Sequence, residues 1–176
     1  MLGVATELGE RPVEGLRVLL VSTGSEEGFM EGMHAFARRH FASLPQERTH
    51  VVCVDTVGSP ELTLIEGEGM LRMREYPEPF KQLVSEAATD SGVHLRRGLR
   101  FRNATDGLIA LKAGYPTAMI GSVTPNKVPS NYHWPTDTAE NVDHGTVDDA
   151  VTLCTAIVRR LAATIDPRAA PSAASA

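Results

Sequence analysis

Residues 16–58 read LRVLLVSTGSEEGFMEGMHAFARRHFASLPQERTHVVCVDTVG, and how that stretch divides decides the fold. Leu16–Thr23 is a short run of Leu and β-branched residues between turn formers, the pattern of a strand covered on both faces. In GFMEGMHAFARRHFASL the apolar Phe29, Met30, Met33, Phe36, Ala37, Phe41 and Leu44 recur at spacings of three and four, which predicts an amphipathic helix. THVVCVDTVG again has a strand's composition. Strand, helix and strand in succession form a βαβ crossover, so the sheet is expected to be at least partly parallel and the class α/β.

Working outward, Glu61–Gly67 (ELTLIEG) alternates as a half-exposed strand does, and PEPFKQLVSEAATDSG starts with prolines suited to a first helical turn and ends at Gly92. Arg96, Arg97, Arg100 and Arg102 mark a basic strand or hairpin, read as a solvated edge or an anion contact. TDGLIALKAG is a short helix capped by Thr105 and stopped by Gly114, leading into the strand PTAMIGS. A last helix is expected from a Thr146 cap, with Val147, Val151, Cys154, Val158, Leu161 and Ile165 on its apolar stripe. Between them Ser122–Gly145 has three prolines and no period, and a loop of that length in a compact domain is usually functional. Residues 1–165 are expected to form one domain, and the Ala-, Pro- and Ser-rich residues 166–176 a disordered tail.

With 176 residues the chain is long enough for one sizeable core. Acidic residues number 22 against 17 basic ones, so 17 − 22 leaves a net charge of −5 and no overall field to hold a nucleic acid. No run approaches a membrane helix, and the first residues lack the apolar core of a signal peptide, so the compartment is left open. Cys53 and Cys154 sit among apolar neighbours, as buried free thiols do.

Ligands of open α/β sheets gather beyond the carboxyl ends of strands. The first expected strand runs into Glu26-Glu27, the second ends in Asp55, and the long loop supplies Tyr132-His133-Trp134 followed by Asp137. Carboxylates and an imidazole on one rim are the donor types of a hydrolytic zinc site. Taken singly, each has a plain alternative. Glu26 and Glu27 suit the positive end of a helix dipole, Asp55 can simply begin a turn, and His133 can be a surface histidine.

Four patterns in order bear a resemblance to zinc-dependent aminopeptidases of the bacterial leucyl aminopeptidase type, peptidase family twenty-eight. They are VLLVSTGSEEGFMEGMHAF, THVVCVDTVG, NATDGLIALKAGYPTAMIGS and NYHWPTDTAENVD, and the last, similar to a Tyr-His-Thr-Pro-x-Asp-Thr signature, is the strongest. The resemblance implies a three-layer αβα fold with a mostly parallel or mixed central sheet. It makes Glu26 the general base, Glu27 and His133 ligands of one zinc, and Asp55 a ligand of a second. Tyr132, Asp106 and Trp134 would border the substrate cleft, and Asp137 would either support a ligand or form a turn. The implied activity is release of amino-terminal residues from peptides by metal-activated water.

The family also uses a His-x-Asp and a bridging Asp upstream of Glu-Glu, whereas here no histidine precedes His34 and no aspartate precedes Asp55. The expectation is therefore an amino-terminally shortened chain lacking the first strands. It would bind zinc weakly, be weak or inactive as a hydrolase, and expose a sheet edge open to self-association. A glutaminyl cyclase of the same architecture and a catalytically silent interaction domain are the alternatives.

Overall fold

The computed structural model describes residues 1–165; the expected tail lies outside the described residues. Its centre is β2 (Glu61–Glu68), whose residues from Leu62 onward are all buried. That overturns the half-exposed expectation. The alternation in ELTLIEG distinguishes two covered faces rather than a dry and a wet one. Leu62 and Leu64 join one core with Phe80, Val84, Ile120, Leu153 and Ile157. Ile65 packs on the opposite face with Tyr76 and Met119.

Both edges of β2 are paired as well. β5 (Thr117–Val123) runs antiparallel along Glu61–Ile65, and β4 (Arg96–Phe101) runs parallel along the other edge. The two-residue β3 (Arg74–Glu75) pairs antiparallel with Gly67 and Glu68. β1 (Val51–Val54) pairs in parallel with β5 and ends the order β1-β5-β2-β3. The sheet is thus mixed.

Helices cover it on both sides. α3 (Glu78–Asp90) and α5 (His144–Ile165) pack together on the Leu62/Leu64 face. α2 (Glu31–His40) and α4 (Asp106–Lys112) pack on the other, around Met33, Ile109, Ala110 and Tyr115. α1 (Leu2–Glu10) lies on α5, close enough that a Cβ on Gly3 would stand 2.9 Å from a Val151 methyl. The expected stripe on α5 is met in part: Cys154 and Leu161 pack against the sheet core beside Ala150, Leu153 and Ile157, whereas Val151 lies against α1. α5 also begins at His144, two residues before the expected cap, because the Asp143 carboxylate accepts from the Thr146 N–H at 3.0 Å. Thr105 does cap α4, accepting from the Gly107 N–H at 3.3 Å.

Leu16–Thr23 is the principal departure. It pairs with no strand, and Val18, Leu19, Leu20 and Val21 are 38–49% exposed. A run apolar on both sides becomes a strand only where both faces and at least one edge are occupied. Among the described residues nothing occupies them, so the crossover inferred from this run does not form. Parallel pairing enters through β1–β5 and β2–β4 instead. No described helix is long and apolar enough to cross a membrane. Burial pushes the Cys53 thiol up to about 12 and the Cys154 thiol up to about 11, so both stay protonated.

The arginines of β4, an edge strand paired only with β2, are ion-paired, and Arg100 remains half-exposed. Arg96 meets Glu61 at 2.6 Å, Arg100 meets Glu75 at 2.8 Å, and Arg97 meets the nearly buried Glu66 at 2.7 Å. Glu66 also accepts from Lys81 Nζ at 2.6 Å and the Gly98 N–H at 3.1 Å. Hydrogen bonds from Arg97, outweighing burial, and from Lys81 and Gly98 hold its carboxyl down at about 2. A carboxyl depressed in the folded state adds stability above its unfolded value, near 4.3 for Glu, and that stability is lost as pH falls through the folded value. Glu66→Gln is therefore expected to lower unfolding free energy by about 3 kcal/mol at pH 7. In urea titrations at stepped pH, the gap from wild type should narrow towards pH 2.

Candidate functional site

The rim of the sheet beyond β1 and β5 gathers the sequence-predicted residues from distant segments. The β1–β5 ladder continues past the strand, with the Asp55 N–H donating to Ile120 O at 3.0 Å and the Ser122 N–H to Thr56 O at 3.0 Å. This fixes Asp55 at the rim. The Ser122 hydroxyl accepts from the Gly58 and Ser59 N–H groups at 2.9 and 2.8 Å, Ser59 Oγ accepts from the Ser130 N–H at 2.8 Å, and Gly58 O from the Asp143 N–H at 2.9 Å. Both ends of the long loop are thereby tied to the turn after Asp55.

Glu26 and Glu27 lie on a tight turn before α2. Gly32 N–H donates to Gly24 O at 3.0 Å, and a Cβ on Gly32 would lie 2.3 Å from that oxygen. Only glycine allows the helix to approach so closely. Across the rim, Glu27 Oε1 and His133 Nε2 are 2.8 Å apart, and the imidazole stacks on Tyr132 with ring centroids 3.9 Å apart. The Thr23 hydroxyl donates to the Asp106 carboxylate at 2.5 Å, which brings the start of α4 to the same place. The role of Thr23 was missed in the sequence; a hydroxyl at the end of an apolar run gave no hint of its partner.

The backbone at these points is strained. Ser25, Thr56 and His133 have φ of 52°, 47° and 59°, in the left-handed region that costs a non-glycine residue roughly 1–2 kcal/mol. Such residues persist where the surroundings over-determine them, and here they adjoin or carry the rim's polar groups.

Electrostatics set the site apart from ordinary surface. Burial first, then the carboxylates of Asp55, Glu27 and Asp106, raise the Glu26 carboxyl above its ordinary value, with His133 opposing. Burial likewise leads in raising Asp55; Asp106 and Glu27 add to it, while hydrogen bonds from Thr56 oppose. One Asp106 oxygen is buried without a hydrogen-bond partner. Four carboxylates thus crowd one rim beside a single imidazole.

Beside Asp55 a cleft of about 260 Å³ is lined by Thr56, Val57, Tyr132, Asp137, Asn141 and Val142, among others. Tyr132 borders it. Trp134 is 71% exposed, and neither Trp134 nor Asp106 lines this cleft. Asp137 donates its N–H to Trp134 O at 2.9 Å, closing a turn. Among the described residues its side chain makes no hydrogen bond to His133.

The chain has counterparts among known proteins. The family model described as Peptidase family M28 matches residues 1–158, and the chain belongs to that family. The fold is similar to that of the LapA aminopeptidase of Legionella pneumophila, at 15% identity and a TM-score of 0.64, covering 80% of this chain and 38% of that one. It is also similar to BSAP, a zinc aminopeptidase from Bacillus subtilis, at 23% identity and a TM-score of 0.61, covering 78% and 34%. The aminopeptidase from Aneurinibacillus sp. strain AM-1 matches at 22% identity and a TM-score of 0.59, covering 79% and 32%. This chain therefore spans less than two fifths of the length of these structures. A comparison with curated protein sequences finds no match.

The donor types at the rim suit zinc, which takes carboxylate oxygen and imidazole nitrogen at about 2.0–2.2 Å. Their arrangement does not. Among the described residues no group of three His, Cys, Asp or Glu side chains stands where it could hold a metal ion, and Glu27 and His133 engage each other instead. The rim is an incomplete fit to a zinc centre.

Gly32→Ala tests how the turn is held. Overpacking against Gly24 is expected to cost about 1–3 kcal/mol and to break the Glu27–His133 contact. Denaturant unfolding and the His133 imidazole shifts in NMR spectra measure both.

Proposed function

We propose that this chain carries the base and part of the ligand set of a zinc-dependent aminopeptidase, a hydrolase that releases amino-terminal residues from peptides. The observation that supports this best is the meeting of Glu26, Glu27, Asp55 and His133 at one sheet rim in a member of a peptidase family. Glu26 is the general base. Its carboxyl is raised by burial and by neighbouring carboxylates, which moves it towards the range where a base both accepts and returns a proton near neutral pH. It takes the proton of the attacking water and returns it to the leaving amine. Glu27 and His133 would hold one zinc and Asp55 another once the missing donors are supplied, and the cleft lined by Val57, Tyr132 and Val142 would receive the substrate's first side chain.

A catalytic zinc normally takes three protein ligands, and these donors supply two for one ion and one for the other. The chain is therefore expected to bind zinc with low affinity and to hydrolyse aminoacyl nitroanilides slowly. Elemental analysis after dialysis and an initial-rate assay measure the two. Glu26→Gln should reduce any turnover by about 10²–10⁴-fold. Stoichiometric tight zinc with full turnover would refute the incomplete site, and a Glu26→Gln variant as fast as wild type would refute the base assignment.

A catalytically silent interaction domain is the second reading, favoured by the absence of three converging donors among the described residues. Absence of turnover with zinc in excess would select it. The exposed Val18–Val21 run and the open edge of β1 support self-association. Light scattering is expected to show species larger than the monomer at high concentration, and a strict monomer would contradict this.

A further inference from the structure

Beneath the rim lies a carboxylate to which none of these roles falls. Glu68 is 0% exposed on β2 and accepts three hydrogen bonds: from the Tyr76 hydroxyl at 2.7 Å, the Thr105 N–H at 3.1 Å and the Thr105 hydroxyl at 3.2 Å. Thr105 has one hydroxyl proton and directs it to Glu68, so its oxygen is left to accept from the Gly107 N–H at 3.3 Å and the Cys53 thiol at 3.7 Å. The direction of every bond in the cluster follows from Glu68 being an acceptor.

The cluster touches each segment that delivers a residue to the rim from the sheet side. Cys53 stands two residues before Asp55 on the same strand end. Thr105 and Gly107, both held here, flank Asp106, whose carboxylate takes the Thr23 hydroxyl at 2.5 Å. Thr23 in turn opens the turn that ends in Glu26 and Glu27.

We propose that Glu68 is a positioning residue of this site: through Thr105 its buried carboxylate holds Asp106 where Thr23 can bond it, and so sets where Glu26 and Glu27 stand relative to Asp55. Packing leaves little room for the cluster to absorb a change locally. A Cβ added at Gly107 would come within 2.9 Å of the Tyr76 hydroxyl and 3.0 Å of Cys53 Cβ. Buried networks of this kind are stiff when every member is satisfied. A glutamine in place of Glu68 keeps one oxygen for the Thr105 N–H but turns its NH2 towards the Tyr76 and Thr105 hydroxyls, so the Thr105 hydroxyl can no longer donate there and must reorient against the Gly107 N–H and the Cys53 thiol.

The inference rests on Glu26 and Glu27 being the working residues, and its test does not depend on turnover. Amide 1H–15N spectra of wild type, Glu68→Gln, Thr23→Val and the double variant separate transmission from local packing. Glu68→Gln is expected to move the amides of Thr23–Glu27 as well as those around Tyr76 and Thr105. In the Thr23→Val background the same change should leave Gly24–Glu27 where Thr23→Val alone put them. Shifts confined to the neighbours of Glu68, or equal shifts at Gly24–Glu27 in both backgrounds, would overturn the proposal. Should Glu68→Gln fail to fold, Tyr76→Phe removes one donor from the same carboxylate and is judged by the same amides. Where wild type turns over a nitroanilide, kcat should fall about tenfold with KM within about twofold, as a misplaced group predicts; an unchanged kcat counts against positioning. A wild type without turnover defeats the peptidase reading and leaves the amide result to decide this one.

Discussion

The parallel ladder between β1 and β5 is the constraint on which the site depends. Its register, Val51 against Thr117 through Val54 against Ile120, runs on into Asp55 and Thr56. It therefore places a carboxylate and a left-handed turn at the point where β5 gives way to the long loop. Ser122 then binds that turn, Ser59 binds the loop, and His133 is delivered opposite Glu27. A slip of one residue would turn Asp55 to the other face of the sheet and dissolve the grouping.

Two kinds of charged group occur in this molecule, and burial with partners tells them apart. Glu66 lies between Arg97 and Lys81 and is held ionised; its ion pairs join β2, β4 and α3. At the rim the carboxyls of Glu26 and Asp55 are raised, first by burial and then by the other carboxylates around them. Structural charge has been neutralised in one place and left uncompensated in the other. Uncompensated carboxylates with raised proton affinity are the usual mark of working groups.

The strand-like run at Leu16–Thr23 shows how far composition can mislead. Its residues suit a covered strand, yet covering is a property of neighbours, and among the described residues no strand pairs with it and Val18–Val21 stay 38–49% exposed. ELTLIEG misleads in the opposite direction: its alternation has the period of a strand with one wet face, whereas helices cover both sides of β2 and strands pair both its edges. Periodicity reports that two faces differ and does not say that either meets water. On α5 the helical stripe divides in the same way, with Cys154 and Leu161 on the sheet core and Val151 against α1.

Local chemistry was legible in the residues alone: the helices begun at Pro77 and Thr105, the strands at Val51 and Thr117, the irregular loop, and the family carried by Glu26-Glu27, Asp55 and Tyr132-His133. These depend on spacing and on side-chain type, which a sequence records. Tertiary structure alone decided that Glu27 meets His133, that Thr23 meets Asp106, that Asp143 rather than Thr146 caps α5, and that Glu68 lies buried beneath them. Those pairings join residues through the register of a sheet and the packing of helices on it, and a distance between chain segments is written in neither segment.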